Sequence, residues 1–412
     1  MSDVTSSSAD GGSPDTAATI DGFDRWIRGR FRDLNTELEE HYMTLDDKAN
    51  VEGVAPALTG ALLAEGEERI AAVAALPELD LDAERGYDLL GNVGLFMAAL
   101  RRHELTNPAR EERSPFPVAS GLAQRLATGL GVVPRFATAH TNLSNPARAG
   151  MYKSFTWLED ELLFIDYNCF SILAYIRAAD VLRRVPPLGV THPVATALFR
   201  DAAAALEDVR RYNDELDAKL NVERFFFNVR PYFKPYRVGR QEYRGANAGD
   251  FAGINEVDLT LGLCRVSDPD YAGLVLEKMP FMTVDDQRLL QACVRRRRSL
   301  MDDFLDVVDG GELSEHGIEN LRAFIAVCDA HGAAAAQHHD QFVARFIAQP
   351  SAGLDERHLA QITASGPPLP VLLGALQALR DKRLAADRSD IATRHEDMLR
   401  LRAAAALEAP VA

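Results

Sequence analysis

The chain has 412 residues, 47% of them hydrophobic, with 61 acidic side chains against 45 basic ones and a formal charge of −16. That length can bury a sizeable core, arranged as one large domain or two. So acidic a surface repels phosphate backbones and anionic lipid, which argues against nucleic acid or a membrane surface as partner.

Residues 1–18 are Ser, Asp, Gly, Ala and Thr with almost nothing apolar, the composition of a disordered tail. Helical periodicity begins near Phe23, Trp26, Ile27 and Phe31 and returns around 54–73 and 87–102. The stretch 107–117, rich in proline and charge, reads as a linker closing a small helical domain at 19–115. Beyond it the pattern predicts longer helices over 154–184, 192–220, 222–230, 254–264, 283–307, 314–331, 333–349, 354–363 and 369–405. Alternating strand-type runs are nearly absent. The expected fold is all-α, with the larger domain, 116–412, holding the site. In the last helix Leu372, Leu373, Leu376 and Leu379 read as ordinary core. The basic run Arg295 to Arg298 reads as a solvated helix face.

No apolar stretch near eighteen residues and no signal peptide stand out, so the expected compartment is the cytoplasm. Cys169, Cys264, Cys293 and Cys328 show no C-x-x-C spacing and no C-x-x-C-H attachment motif. They read as free thiols, and any haem would be held without a covalent bond, as haem b.

The segment 333–347 reads as one helix, with His339, Phe342, Val343 and Phe346 on one apolar stripe. An imidazole aimed into an apolar interior needs a partner. Haem iron is one, and a backbone carbonyl is the other. Four alanines, Ala333 to Ala336, leave room for a flat macrocycle. His338 adjoins His339, and adjacent helix positions point about 100° apart, so one of the two can face the iron. His331 lies on nearly the same side. It reads either as lining the haem edge or as a surface histidine beside a helix break at Gly332.

Three further blocks stand in order: Phe225 to Phe233 (FFFNVRPYF), Tyr243 to Phe251 (YRGANAGDF) and Val257 to Leu263 (VDLTLGL). Together with His339, Gln341, Phe342, Val343, Arg345, Phe346 and Ile347, this order resembles the indoleamine 2,3-dioxygenase superfamily. There a proximal-histidine segment H-x-Q-(apolar)-V-x-(basic)-(aromatic)-I follows an aromatic–arginine block, a small-residue loop and an LLG-like turn. The GANAGDF wording and the paired histidines are closer to the branch containing monodechloroaminopyrrolnitrin synthase. The likeness covers roughly residues 130–385, with gaps.

The resemblance implies a two-domain helical fold and a haem b enzyme using molecular oxygen, with His339 as the proximal iron ligand. Gly245, Phe342 and Val343 would lie against the cofactor. Arg230 would pair with a substrate carboxylate, and Phe226, Ala246 and Asn247 would line the substrate site. A planar fork of donors suits a carboxylate, and an aromatic face suits a flat ring. Pro231 departs from the dioxygenase wording and disfavours helical geometry at Arg230. The stretch 134–143 stands at the distal-pocket position, which makes His140 and Thr141 candidates to meet oxygen or substrate, with Ser171 and Tyr175 as further ones. The family's GTGG loop corresponds to Thr363–Ala364–Ser365–Gly366, with alanine at the key threonine position, so Thr363 or Ser365 would have to substitute. The expected function is oxidation of tryptophan or a tryptophan-derived amino acid in secondary, antibiotic-type metabolism. The superfamily also permits another substrate, such as tyrosine. Composition alone would also suit a non-catalytic all-α binding protein.

Overall fold

A computed structural model describes residues 14–77, 79, 81–311, 313–351 and 369–407. The chain forms two compact units, Met1–Leu158 with Pro235–Arg244, and Glu159–Lys234 with Gly245–Ala412. The only strands among the described residues are a two-stranded antiparallel hairpin, so the protein is all-α, as expected.

In the first unit, α1 (Pro14–Arg28), α2 (Arg30–Tyr42), α3 (Pro56–Ala74), α4 (Ala83–Arg102) and α5 (Pro117–Leu130) surround a core of Phe23, Trp26, Phe31 and Phe96. Helix α4 is buried from Gly86 to Arg102, because two glycines let other segments cross it closely. A Cβ at Gly94 would come within 2.5 Å of the Phe136 amide nitrogen. The hairpin, Tyr236–Val238 with Gln241–Tyr243, inserts the fully buried Tyr236 ring. The tyrosine hydroxyl accepts the Phe136 N–H at 2.8 Å.

The expected boundary near 115 differs from this division, which falls at Leu158. Helix α5 packs on α3 and α4. The buried Lys153 ties its loop to Asp24 at 3.4 Å and also pairs with Asp88. The stretch 107–117 is therefore a connection inside the first unit. Helix α1 already begins at Pro14, inside the expected tail.

The second unit contains α6 (Glu159–Leu182), α7 (Ala195–Lys219), α8 (Ala252–Leu261), α9 (Pro269–Lys278), α10 (Val284–Val294), α11 (Leu300–Asp309), α12 (Glu315–Gln337), α13 (Leu369–Arg383) and α14 (His395–Ala404). Helix α7 lies between α6 and α12 around Phe199, Leu206, Phe304 and Phe324. The stretch Glu159–Leu188 is long and apolar enough, by length and composition, to cross a membrane, which the sequence reading overlooked. In the fold it is a core helix, packed on both α7 and α8, with Ala174, Tyr175, Ala178 and Ala179 buried.

Several predicted helices have different bounds. The 283–307 helix is two, because Ser299 starts α11 with a capping box to Asp302. Arg295 to Arg298 accordingly lie in a loop, where Arg298 pairs with Asp303 at 2.8 Å. The 369–405 helix ends at Arg383 and restarts at His395. Leu372, Leu373, Leu376 and Leu379 are half-buried, whereas the polar end Asp381, Lys382 and Arg383 is buried. Gly332 does not break α12. A Cβ there would meet the Arg383 carbonyl at 3.1 Å, so glycine serves close packing against the end of α13. Helix α9 was not expected. The predicted 354–363 helix, Thr363 and Ser365 lie outside the described residues.

Candidate active site in the second unit

Helix α12 passes without a break into His338–Ala348, which is wound as a π-helix. Wider i→i+5 bonding changes which side chains share a face. The stripe expected from a 3.6-residue period joined His339 to Phe342, Val343 and Phe346. Instead His338 stacks on Phe342 (5.9 Å between centroids) and Phe342 on Phe346 (5.6 Å). Val343 and Phe346 are buried, while His339 keeps 21% of its side-chain surface and Phe342 is half-buried. The opposite face is pinned to α7. Gln337 and Gln341 both donate to Asp214, at 2.7 and 3.2 Å, and Arg345 pairs with Asp217 at 2.7 Å.

The two histidines differ in their surroundings. His339 Nδ1 lies 3.0 Å from Asp340 Oδ1 and 3.3 Å from Arg380 Nη1. A carboxylate oxygen can only accept and a guanidinium N–H can only donate, so a protonated Nδ1 suits Asp340 and an unprotonated Nδ1 suits Arg380; both contacts are made through Nδ1 and not through Nε2. His338 has an exposed ring, yet burial, with the nearby charge of Arg383, pulls its pKa down to about 4. The ring is therefore neutral at pH 7.

The aromatic–arginine block is also wound unusually. Phe225–Val229 is a short π-helix and Arg230–Phe233 a 3-10 turn. Arg230 has φ −55° and ψ −36°, so the following Pro231 does not drive it out of helical geometry as expected. Phe226 is buried, with Phe225 and Phe227 half-buried beside it. The Arg230 guanidinium stands over the Phe226 ring at 5.5 Å. Arg230 is only 6% exposed, and its Nη1 is buried with no hydrogen-bond partner among the described residues. Burial alone pulls its pKa down to about 10. Phe225 packs edge-on against Phe346 at 5.8 Å, so this block and the histidine segment share one aromatic cluster.

The small-residue loop closes on itself. Asn247 N–H donates to Asp250 Oδ2 at 2.9 Å, and Asp250 N–H to the Asn247 carbonyl at 3.0 Å. The Asn247 amide is thus taken by its own chain, with Gly245 and Ala246 buried beside it. Phe251 then starts α8 and packs on Tyr175 at 5.9 Å. Gly253 lets α8 approach α6 closely, since a Cβ would lie 3.3 Å from the Ile176 amide nitrogen.

Beyond the loop lies a buried network that sequence reasoning missed. Asp258 on α8 is fully buried and receives Arg383 Nε and Nη2, each at 2.8 Å, Tyr271 Oη at 2.9 Å and His331 Nε2 at 2.7 Å. Burial pushes its carboxyl up, but Arg383 and His331 hold it well below the usual carboxylate range. His331 is thus neither on the surface nor beside a break. The signal was present, because Asp258 is a lone acid within the apolar run VDLTLGL.

The remaining expected site residues have surroundings of their own. His140 belongs to the first unit, where it stacks on Tyr87 at 4.2 Å and accepts the Ala137 N–H at Nδ1. Burial, with the charge of Lys153, pulls its pKa down to about 3, so it is a neutral core histidine. Thr141 is buried and donates to the Thr138 carbonyl at 3.1 Å. Ser171 is half-buried on α6, one turn before Tyr175. All four cysteines are free, and burial raises the thiol pKa of Cys169 to about 12.

The second unit therefore holds both segments, His338, His339, Phe342 and Val343 in one and Phe226 and Arg230 in the other, in contact through Phe225 and Phe346. A family model described as monodechloroaminopyrrolnitrin synthase PrnB matches residues 17–405 of this chain.

Proposed function

The chain belongs to the monodechloroaminopyrrolnitrin synthase family, haem-dependent oxidoreductases of tryptophan-derived antibiotic metabolism, and from that premise we propose that it binds haem b through His339 and oxidises a tryptophan-type amino acid held by Arg230.

The residues present fit the cofactor. His339 offers Nε2, and in the tautomer that donates from Nδ1 to Asp340 it makes the carboxylate–histidine arrangement that raises ligand basicity. Phe342, Val343 and the alanines before His338 supply flat and small surfaces beside it. Bound haem supplies the oxygen chemistry. The protein's share is placement. Arg230 takes the substrate carboxylate, Phe226 holds the indole ring, and the aromatic cluster of Phe225, Phe342 and Phe346 keeps water away from both.

One observation carries the substrate half of this reading: an arginine 6% exposed, whose Nη1 is buried without a hydrogen-bond partner among the described residues. A buried cation without an anion is costly, and a ligand carboxylate removes the cost. The Asn247 amide does not compete for that carboxylate, since Asp250 occupies it. His338 offers a second reading of the iron ligand, favoured by its exposed, neutral ring.

The test is reconstitution. The purified protein, supplemented with haem, is titrated with tryptophan, ring-substituted tryptophans and tyrosine while the Soret band is followed, and products are weighed by mass spectrometry. A band that shifts with tryptophan derivatives supports the reading. A colourless protein, or a response to tyrosine alone, overturns it.

A further inference from the structure

The buried Asp258 network makes contact with the histidine segment by a route that local sequence does not reveal. Arg383 and Arg380 stand three residues apart on α13, one above the other on one face. Arg383 grips Asp258 with both arms of its fork, and Asp258 in turn holds His331 on α12. One turn away, Arg380 reaches His339 Nδ1 at 3.3 Å and Asp340 Oδ1 at 3.5 Å. His331 and His339 are eight residues apart on one continuous helix, a rise of about 12 Å. The two helices are thus joined at two rungs, one fully buried and one half-open. Tyr271 from α9 braces the buried rung at 2.9 Å, and Asn255 links Tyr271 to Lys278. At Gly332, between the rungs, the backbone at the end of α13 presses on α12.

We propose that Asp258 and Arg383 are positioning residues: by locking His331, they set the rotation of α12 and the height of α13 at which Arg380 and Asp340 meet His339. The inference rests on the reading of His339 as iron ligand for its consequence, but not for its geometry. A bidentate arginine–carboxylate pair fixes both distance and plane, which a single hydrogen bond does not. Without it, α13 is free to slide along α12, and the Nδ1 side of His339 loses a fixed environment. Groups that orient a metal-bound histidine from behind change metal affinity by about 10- to 100-fold when removed.

The experiment compares Asp258→Asn and Arg383→Lys with Glu39→Gln. Glu39 makes an equally buried bidentate pair with Arg102, at 2.7 and 2.7 Å, inside the first unit. Loss of a buried pair in general is therefore controlled. Two readouts are taken. The first is the ring nitrogen NMR signals of His339 in the haem-free protein, assigned through His339→Ala. The second is haem affinity. The expected result is that Asp258→Asn and Arg383→Lys both move the His339 signals and weaken haem binding about 10- to 100-fold, while Glu39→Gln leaves both as in the parent. Unchanged His339 signals in the two variants, or equal changes in Glu39→Gln, overturn the proposal. So does unfolding of both variants while Glu39→Gln stays folded, since the network is then general scaffolding. If the parent protein binds no haem, the function reading fails and the nitrogen signals still decide this one.

Discussion

Replacing Arg230 by methionine should move stability and binding in opposite directions. The guanidinium is 6% exposed, and burial alone pulls its pKa from 12.5 to about 10. That depression corresponds to roughly 3 kcal/mol of penalty on the charged form, at about 1.4 kcal/mol per pH unit. Methionine fills similar space without the charge. It forfeits the cation–π contact over Phe226, worth about 0.5–1 kcal/mol. The net expectation is a gain of about 2 kcal/mol in the ligand-free protein, or roughly 4–8 °C in Tm for a domain of this size class. Binding should move the other way. A charge-assisted hydrogen bond to a carboxylate contributes about 1.5–3 kcal/mol, so tryptophan should bind about 10- to 150-fold more weakly. Tryptamine, which lacks the carboxylate, should bind as before. The assay is thermal unfolding of the haem-free protein, followed by titration of the haem-loaded protein with both ligands. A variant that loses stability without ligand would show that Arg230 already has an anionic partner. An unchanged ratio of tryptophan to tryptamine affinity would show that the carboxylate goes elsewhere.

Three other outcomes follow from the same coordinates. Gly332→Ala places a methyl 3.0–3.2 Å from Leu384 and the Arg383 carbonyl, so it should cost about 1–3 kcal/mol in unfolding measurements and weaken haem binding by separating α12 from α13. Asp286 has its carboxyl pushed up to about 6, first by burial and then by Glu256 and Asp285. The folded state therefore holds this proton more tightly, and its contribution is complete below about pH 3.8 and lost as the pH rises through about 6. Asp286→Asn should be the more stable protein at pH 7 by about 1–2 kcal/mol, an advantage that shrinks toward pH 4, read as the difference between two denaturant curves at each pH. His140 behaves in the reverse sense. With its pKa pulled to about 3, it should cost stability as the pH falls below about 6.5, and His140→Gln should lessen that slope without touching haem affinity.

Much of this architecture was legible because local chemistry and packing agree. The 3.6-residue period placed most helices, and the aromatic block, the small-residue loop and the histidine segment fell in one unit, as their order suggested. Periodicity could not show that His338–Ala348 and Phe225–Val229 are wound as π-helices, since that depends on what each segment packs against. The hairpin at 236–243 went unseen because its strands are three residues each, too short to establish alternation. The chain leaves one unit for the hairpin and returns, a long-range pairing with no local signature. Arg383 sits in a charged helix end that reads as solvated, and only the fold brings Asp258, 125 residues away, against it. His140 shows the converse, a histidine in a suggestive position whose surroundings, Tyr87 and Phe136, make it core.

The account turns on which imidazole of the adjacent pair reaches the iron. Absorption spectra of haem-supplemented His339→Ala and His338→Ala decide it. The account predicts that the Soret band of the parent is lost in His339→Ala and kept in His338→Ala. Loss in His338→Ala with retention in His339→Ala would contradict it and hand the iron to the ring that stacks on Phe342.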